Sequence, residues 1–443
     1  MSIFRAYDIR GVYGEDLTPD IAENIGKAYG TYLGGDIVVG MDNRLSNEVL
    51  KKALIKGLTS TGTDVTDVGI VPSPVLYFAI THLKKDGCIM VTASHNPPEY
   101  NGFKLNRGKL PLVADEIQEL KHIIDLGEFK KGKGKVSKFD VATPYKEYIK
   151  DRFKLKRGLK VVIDAGNATC GDIGPELFSE LGCDVTRLYC EMDGTFPNHQ
   201  PDPTVEENLV DLKKVVKEEG ADIGISYDGD GDRVLFVDDM GHTLKGDQIM
   251  MIYSRDLLKE KKGEKILFEV KSSRALIEDI KMSGGDPIMW KVGHSFIKKK
   301  LSEDKILLGG ETSGHFFFAE NNGFDDGLYG SVKMVHILSK SEGKLSDIYL
   351  SLPRYPSIDH RVHCPDDIKF DVVDKIKEDF SKIYDVITMD GVRVELEDGW
   401  GLIRASNTEP ALVIRYEAET EEKLKEIEEI FESKMREYGV EIP

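Results

Sequence analysis

At 443 residues the chain is too long for one compact core, and length alone predicts about three domains. Its 40% apolar and 31% charged composition fits a globular protein, and no apolar run approaches the ~20 residues that a membrane span requires. A formal net charge of −18 argues against nucleic acid as a partner, but allows an anionic small substrate in a locally basic cleft. The five cysteines (88, 170, 183, 190, 364) form no Cys-x-x-Cys pair, so neither a disulfide framework nor a structural zinc site is expected. Met1-Ser2-Ile3-Phe4-Arg5 lacks the basic-then-apolar pattern of a signal peptide, and a cytoplasmic location is the expectation.

The predicted elements repeat along the chain. A first copy opens with a strand over 36–40, followed by a helix with Val49, Leu50, Ala53, Leu54 and Leu58 on one face. A second strand lies near 64–68. The next helix starts at Ser73-Pro74, with the serine as N-cap and the proline at the first helical position. Strand 88–91 ends the copy. The second copy opens with strand 160–164, passes through an amphipathic helix at about 205–219 and ends in strand 223–225. The third opens with strand 265–268, has a helix at about 273–283 and ends in strand 306–308. Strand–helix alternation of this kind predicts mostly parallel sheets flanked by helices. The rest differs: strand-like runs at 399–405 and 411–417 precede a closing helix with Leu424, Ile427, Phe431 and Met435 on one face. The expectation is therefore three related α/β units, 1–142, 143–244 and 245–354, with mixed, mostly parallel sheets, and a C-terminal α+β unit, 355–443.

Four polar loops carry the chemistry. Thr92-Ala93-Ser94-His95-Asn96-Pro97-Pro98 presents a serine beside a histidine at the end of an apolar strand, and its Asn-Pro step stops either helix or strand. Ligands of α/β sheets bind at the carboxyl ends of strands. Asp228-Gly229-Asp230-Gly231-Asp232-Arg233 alternates three aspartates with glycines, which lets three hard oxygen ligands converge on Mg²⁺. An EF-hand would need Gly and Glu where Arg233 and Asp239 stand. Arg233 suits a phosphate. Gly309-Gly310-Glu311-Thr312-Ser313-Gly314-His315 places a carboxylate and a hydroxyl two residues apart, positioned for vicinal sugar hydroxyls, with His315 able to exchange a proton. Arg404-Ala405-Ser406-Asn407-Thr408 offers a guanidinium, hydroxyls and backbone N–H groups as an anion nest. Tyr7 and Arg10 near the N-terminus, and His294 in Lys291-Val292-Gly293-His294-Ser295, support this set. The basic run 130–135 reads as a solvated loop, and Gly127-x4-Gly132-Lys133-Gly134 lacks the Ser/Thr of a P-loop.

These loops, in this order and over the whole chain, resemble the α-D-phosphohexomutase superfamily. The resemblance implies four domains, three related and one α+β. It implies that Ser94 carries a phosphoryl group, that Asp228, Asp230 and Asp232 hold Mg²⁺ with an oxygen of phosphoserine 94 as a further ligand, and that Glu311 and Ser313 bind sugar hydroxyls. Arg404, Ser406, Asn407 and Thr408 would hold the phosphate that is not transferred. Tyr7, Arg10, Lys271 and His294 would line the cleft. Lys104 and His315 are the candidates for proton transfer, with His95 and Arg233 beside the phosphoserine. Ser406-Asn407-Thr408 is similar to the phosphomannomutase/phosphoglucomutase branch, where glucosamine enzymes usually read Ser-Gly-Thr. Glu-Thr-Ser-Gly-His is closer to the Glu-Met-Ser-Gly-His of dual-specificity enzymes, with Thr312 departing from it.

The implied reaction interconverts hexose 1-phosphate and hexose 6-phosphate, of mannose or glucose. It passes through a 1,6-bisphosphate that turns end over end, and the same bisphosphate serves as activator. The enzyme would act as a monomer or homodimer on a phosphosugar, with no nucleic-acid or membrane partner, and its fourth domain would close over the cleft. The rivals are a mutase for glucosamine or pentose phosphates, a Mg²⁺-dependent sugar-phosphate phosphohydrolase, and a noncatalytic binding protein.

Overall fold

The computed structural model describes residues 3–5, 8–406 and 410–441. Four sheets succeed one another along the chain. In the first, strand Asp36–Met41 lies between the parallel strands Gly87–Val91 and Asp64–Ile70, and Tyr100–Arg107 pairs antiparallel outside Gly87–Val91. In the second, Lys160–Asp164 lies between Ile223–Tyr227 and Asp184–Leu188, with Val234–Asp238 antiparallel outside Ile223–Tyr227. In the third, Lys265–Glu269 lies between Leu308–Gly310 and Asp286–Trp290, with Phe316–Phe318 antiparallel outside. The strand order is the same each time: return strand, third, first, second. The predicted repeat is thus a repeat of topology, and the fold is three α/β units followed by an α+β unit.

That order fixes where chemistry can sit. The loop between the third strand and its antiparallel return carries Ser94 in the first unit, Asp228 to Asp232 in the second and Glu311 to Ser313 in the third. All three loops lie at the carboxyl ends of parallel strands, where backbone groups leave the sheet and side chains converge.

The C-terminal sheet is wholly antiparallel, in the order Ser357–His363, Ala411–Ala418, Gly399–Ala405, Val392–Leu396, Asp385–Ile387. Helices Lys369–Phe380 and Glu421–Glu437 pack on it, bringing the Phe380 and Phe431 rings to 4.9 Å. It has a core of its own, whereas one continuous cluster of buried side chains runs through the first three units, from Val38 to Leu352. The C-terminal unit joins the third through a small apolar cluster of Val270, Trp400 and Leu402. Among the described residues no helix is long and apolar enough to cross a membrane, and the five cysteines are free thiols.

Three local expectations differ from the structure. The third unit's last parallel strand is Leu308–Gly310, two residues later than expected. Gly310 belongs to the strand because it pairs with Phe268 on one side and Phe316 on the other, and it is glycine because a Cβ there would collide with Met250. The segment expected as one helix from about 205 begins as a 3-10 turn, Glu206–Leu209, before helix Val210–Glu219. Ser73 does not cap its helix, whose N-cap is Pro72. Its backbone N–H instead donates to the Asp230 carbonyl at 2.7 Å and its hydroxyl donates to the Asp230 carboxylate. The lysines of the basic run are exposed, as expected of a solvated loop, but its backbone lies on the fold, with the Gly132 and Gly134 N–H groups donating to the Ser60 and Thr59 carbonyls.

Candidate active site

Ser94 is buried and takes a left-handed backbone conformation, φ 52°, which costs a non-glycine residue on the order of 1–3 kcal/mol. The surroundings hold it there. Its N–H donates to Thr92 Oγ1 at 2.8 Å, and its hydroxyl donates to Asp228 Oδ2 at 2.6 Å and lies 3.1 Å from His95 Nδ1. One guanidinium, fully buried, clamps the whole loop: Arg44 donates to the carbonyls of Ser94 (2.8 Å), Asn96 (2.6 Å), Pro97 (2.5 Å) and Tyr100 (3.0 Å), with Asp42 on its Nε at 3.2 Å. Arg10 joins the same loop through Asn96 Oδ1 at 2.5 Å, its other arm on Asp8. Burial, then the charges of Arg233, Arg10 and Lys104, push the His95 imidazole well below its usual range, which keeps it neutral.

Asp228, Asp230 and Asp232 are fully buried, with one oxygen of each within 4.8 Å of the others. Gly229 is required because the Ser94 carbonyl occupies the space of a Cβ, and Gly231 takes φ 73°. Lys104 bridges two of the carboxylates, its Nζ 2.6 Å from Asp230 and 2.5 Å from Asp232. Burial opposes the Lys104 charge, but Asp230, Asp232 and Asp228 outweigh it and hold the ammonium above its ordinary range. Burial, then Asp232 and Asp230, push Asp228 well above the usual carboxylate range. Asp230 Oδ1 and Asp232 Oδ1 are buried with no hydrogen-bond partner. Three converging oxygen donors, two orphaned oxygens and a surplus of negative charge fit a divalent cation with hard oxygen ligands.

Arg233, His315, His294 and Asp325 continue the cluster. Arg233 Nε donates to His315 Nε2 at 3.0 Å. His315 Nδ1 lies 3.4 Å from Asp325 and 3.6 Å from Asp232. His294 stacks on His315 with ring centroids 5.2 Å apart, and its Nδ1 is 3.0 Å from Asp325, which also pairs with Lys298 at 2.5 Å.

The segments that carry Glu311 and Arg404 meet through residues 291–294. Glu311 accepts from the Gly293 N–H at 2.7 Å, and Val292 N–H donates to Asp390 at 3.0 Å. Asp390 pairs with Arg404 Nε at 3.3 Å. Ser313 is half-buried and Ser406 buried, with the Ser406 N–H donating to the Ala411 carbonyl at 2.9 Å. Lys271 Nζ lies 3.4 Å from the buried Glu269. Burial, then the charge of Glu269, push the Glu311 carboxyl up to about 7. Tyr7, Asn407 and Thr408 lie outside the described residues. The other expected residues fall into two connected groups, one around Ser94, the aspartates and the histidines, the other around Glu311, Lys271 and Arg404. His294, next to Gly293, joins them.

Arg44, Asp325, Glu269, Asp390 and Ser73 escaped the sequence reading. For two there was a signal of position: Asp42-x-Arg44 follows the first strand of its unit and Glu269-x-Lys271 begins at the end of its own, as Asp164 ends the first strand of the second unit, each beside the strand bearing a chemical loop. Asp164 holds His199 at 3.1 Å, and the neighbouring Gln200 donates to the His95 carbonyl at 2.5 Å.

Three α/β units that aim strand-end loops at one buried carboxylate cluster, with a separately cored fourth unit joined to the third, define a multidomain α/β enzyme of phosphoryl transfer. Family models described as "Phosphoglucomutase/phosphomannomutase" match it throughout: alpha/beta/alpha domain I over residues 1–131, domain II over 143–241, domain III over 245–355 and the C-terminal domain over 361–434. The chain belongs to the phosphoglucomutase/phosphomannomutase family, within the α-D-phosphohexomutase superfamily, and is a mutase. It is 43% identical over 449 residues to the phosphomannomutase/phosphoglucomutase of Pseudomonas aeruginosa, covering 100% of this chain and 97% of that one. It is 41% identical to the phosphoglucomutase of Neisseria gonorrhoeae, covering 97% and 96%. A crystal structure of a phosphoglucomutase/phosphomannomutase family protein from Burkholderia thailandensis superposes with a TM-score of 0.94 at 40% identity, covering 100% and 99%.

Two outcomes test this geometry. Arg44→Lys loses the fork and leaves buried carbonyls unpaired, so it lowers the free energy of unfolding, read from denaturant titration, by on the order of 3 kcal/mol and lowers kcat. In Arg44→Ala, millimolar guanidinium restores turnover that an equal concentration of sodium chloride does not. The second concerns Glu311, whose carboxyl is raised from 4.5 to about 7 in the folded chain. Its contribution to stability is complete below pH 4.5 and is lost as pH rises through 7. Glu311→Gln is therefore more stable than the native chain at pH 8, by up to about 3 kcal/mol, with little difference at pH 4.5, read from unfolding at both pH values.

Proposed function

We propose that the chain interconverts the 1- and 6-phosphates of mannose and glucose, with phosphoserine 94 as the phosphoryl carrier and a hexose 1,6-bisphosphate as intermediate and activator. The observation that carries this reading is the Ser94 hydroxyl, held at 2.6 Å from Asp228 on a loop that Arg44 clamps at four carbonyls. A hydroxyl so fixed is a point of attachment, aimed at the carboxylates.

Asp228, Asp230, Asp232 and an oxygen of phosphoserine 94 would hold Mg²⁺. Bound there, Mg²⁺ neutralises charge on the transferring phosphoryl oxygens. Phosphoryl transfer passes through a loose transition state, so positioning and charge stabilisation supply most of the catalysis. Arg233 brings fixed positive charge, and Lys104 brings a charge that the aspartates favour and that it would lend only while protonated. His95, neutral and 3.1 Å from the Ser94 hydroxyl, sits beside the phosphoserine as a hydrogen-bonding neighbour. Proton exchange with the sugar hydroxyl falls to Lys104 or His315, both of which contact Asp232. A positioned base contributes typically ~10²–10⁴-fold.

Glu311 and Ser313 take the sugar hydroxyls, with Lys271, His294, Arg10 and Tyr7 lining the cleft. Arg404 and Ser406, with Asn407 and Thr408, take the phosphate at the far end. The bisphosphate must present either phosphate to Ser94, so the far site has to accept both. We place the domain boundaries near 142, 244 and 354. The separate core of the last unit supports its closing over the cleft to exclude water that would hydrolyse phosphoserine. We assign the enzyme to the cytoplasm, as a monomer or homodimer.

The test is a panel of mannose, glucose, glucosamine and ribose 1-phosphates, with Mg²⁺ and a catalytic amount of glucose 1,6-bisphosphate. The expected order places kcat/KM for mannose and glucose above glucosamine and ribose, and Ser94→Ala abolishes turnover while keeping the fold. Equal or greater kcat/KM on glucosamine 1-phosphate would reassign the sugar, and net phosphate release without isomerisation would make the chain a hydrolase.

A further inference from the structure

One buried oxygen gathers the third unit's sugar-binding parts. Glu269 Oε1 accepts the Thr312 N–H at 2.8 Å, accepts the Thr312 hydroxyl, and lies 3.4 Å from Lys271 Nζ. Glu269 is fully buried at the end of strand Lys265–Glu269, so its position is set by the sheet. Thr312 lies between Glu311 and Ser313, and its hydroxyl is the group a methionine there would lack. The departure of Thr312 from the Glu-Met-Ser-Gly-His pattern thus has a structural partner in Glu269. Oε2 of Glu269 and Oε2 of Glu311 are both buried without a hydrogen-bond partner.

The same loop is held from the C-terminal sheet. Arg393, on strand Val392–Leu396, is fully buried. Its Nη1 donates to the carbonyls of Val270 at 2.7 Å and Ser272 at 2.8 Å, the two residues that flank Lys271. Its guanidinium lies 3.6 Å over the Trp400 ring, and its Nε donates to Glu395 at 2.6 Å. Around it, Trp400 Nε1 donates to Glu417 at 2.9 Å, Glu417 accepts the Arg274 N–H at 2.8 Å, and Arg415 pairs with Asp247 at 3.0 Å. The only apolar cluster joining the two units among the described residues is the small one of Val270, Trp400 and Leu402. Their junction is therefore largely a set of directional polar contacts, which are sensitive to angle where apolar packing tolerates sliding.

We propose that Arg393 and Glu269 are positioning residues that couple docking of the C-terminal sheet to the order of the sugar-binding loop. Arg393 holds the backbone on both sides of Lys271; Lys271 and Thr312 share Glu269; Thr312 sets the separation of Glu311 and Ser313. The unit that carries the far-phosphate site thereby controls whether the sugar site is formed. Occupancy of either site favours the other, because such coupling is reciprocal. The inference rests on the reading of residues 311–313 as the sugar loop, but its first test does not.

That test is amide hydrogen exchange on the full chain without ligand. In Arg393→Lys, peptides covering 309–315 exchange faster than in the native chain by roughly fivefold or more, while peptides covering 223–235 in the second unit are unchanged. Unchanged exchange at 309–315 overturns the proposal. If Arg393→Lys does not fold, Thr312→Val serves from the other end. It keeps the backbone N–H and removes the hydroxyl, and it must speed exchange at 270–272 and 391–396; no change at either segment overturns the proposal. The second test is kinetic, with glucose 1-phosphate and catalytic glucose 1,6-bisphosphate. Arg393→Lys and Thr312→Val each raise KM more than they lower kcat, and the double variant raises KM no further than the worse single one. Effects on KM that simply multiply overturn the coupling even where the exchange result holds for each variant alone. A native chain inactive on hexose phosphates would count against the sugar reading, and the exchange experiment would still decide the coupling.

Discussion

Three carboxylates buried within 4.8 Å of one another are the constraint that the rest of this molecule serves. Asp228, Asp230 and Asp232 cannot all carry charge there without cations, because burial and mutual repulsion both oppose it. Lys104 supplies one positive charge from the first unit, Arg233 another from the second, and the orphaned oxygens call for a divalent ion. On a chain with a net charge of −18, Lys104 and Arg233 are cations gathered against these carboxylates. Ser94 is hydrogen-bonded into the edge of this cluster, and on the proposed reading the two cations face the phosphoryl group it would carry.

The three repeated units divide the labour in the same way. In each, the loop after the third strand carries the candidate reacting or binding groups, and a residue at or just past the end of the first strand braces a neighbouring loop. Arg44 braces the Ser94 loop through four carbonyls. Asp164 acts through His199 and Gln200 on the His95 carbonyl. Glu269 holds Thr312. Parallel pairing of the first and third strands is what brings each such pair of loops to one edge. A strained serine at φ 52° persists only where its surroundings over-determine it, and the Arg44 clamp does so.

The parts of the site that were legible in the sequence are those written in local patterns. Alternate Asp and Gly residues suggest a metal within a few positions, whereas the serine before Asn-Pro at a strand end and Glu-x-Ser in a glycine loop suggest a role only as members of an ordered set. Apolar periodicity was enough for the repeat and for the different character of the last unit. The braces were not legible, because Arg44 and Ser94 are fifty positions apart and Arg393 meets residue 270 only across a domain junction. A buried arginine in a sequence looks like any surface arginine until the carbonyls around it are known. Ser73 was misread as a helix cap for the same reason: its partner, Asp230, belongs to another unit. The shift of the last strand to 308–310 reflects its pairing with 266–268 and 316–318, a register that no local pattern records.

The central claim is that Ser94 hands its phosphoryl group to the sugar and recovers one from it, without losing it to water. Rapid-quench turnover of enzyme labelled with ³²P on Ser94, mixed with unlabelled glucose 1-phosphate and Mg²⁺, tests this directly. The account predicts that label leaves Ser94 into glucose 1,6-bisphosphate within a single turnover and then appears in glucose 6-phosphate, with no matching burst of inorganic phosphate. Label that stays on the protein during turnover, or that leaves it only as inorganic phosphate, would contradict the account.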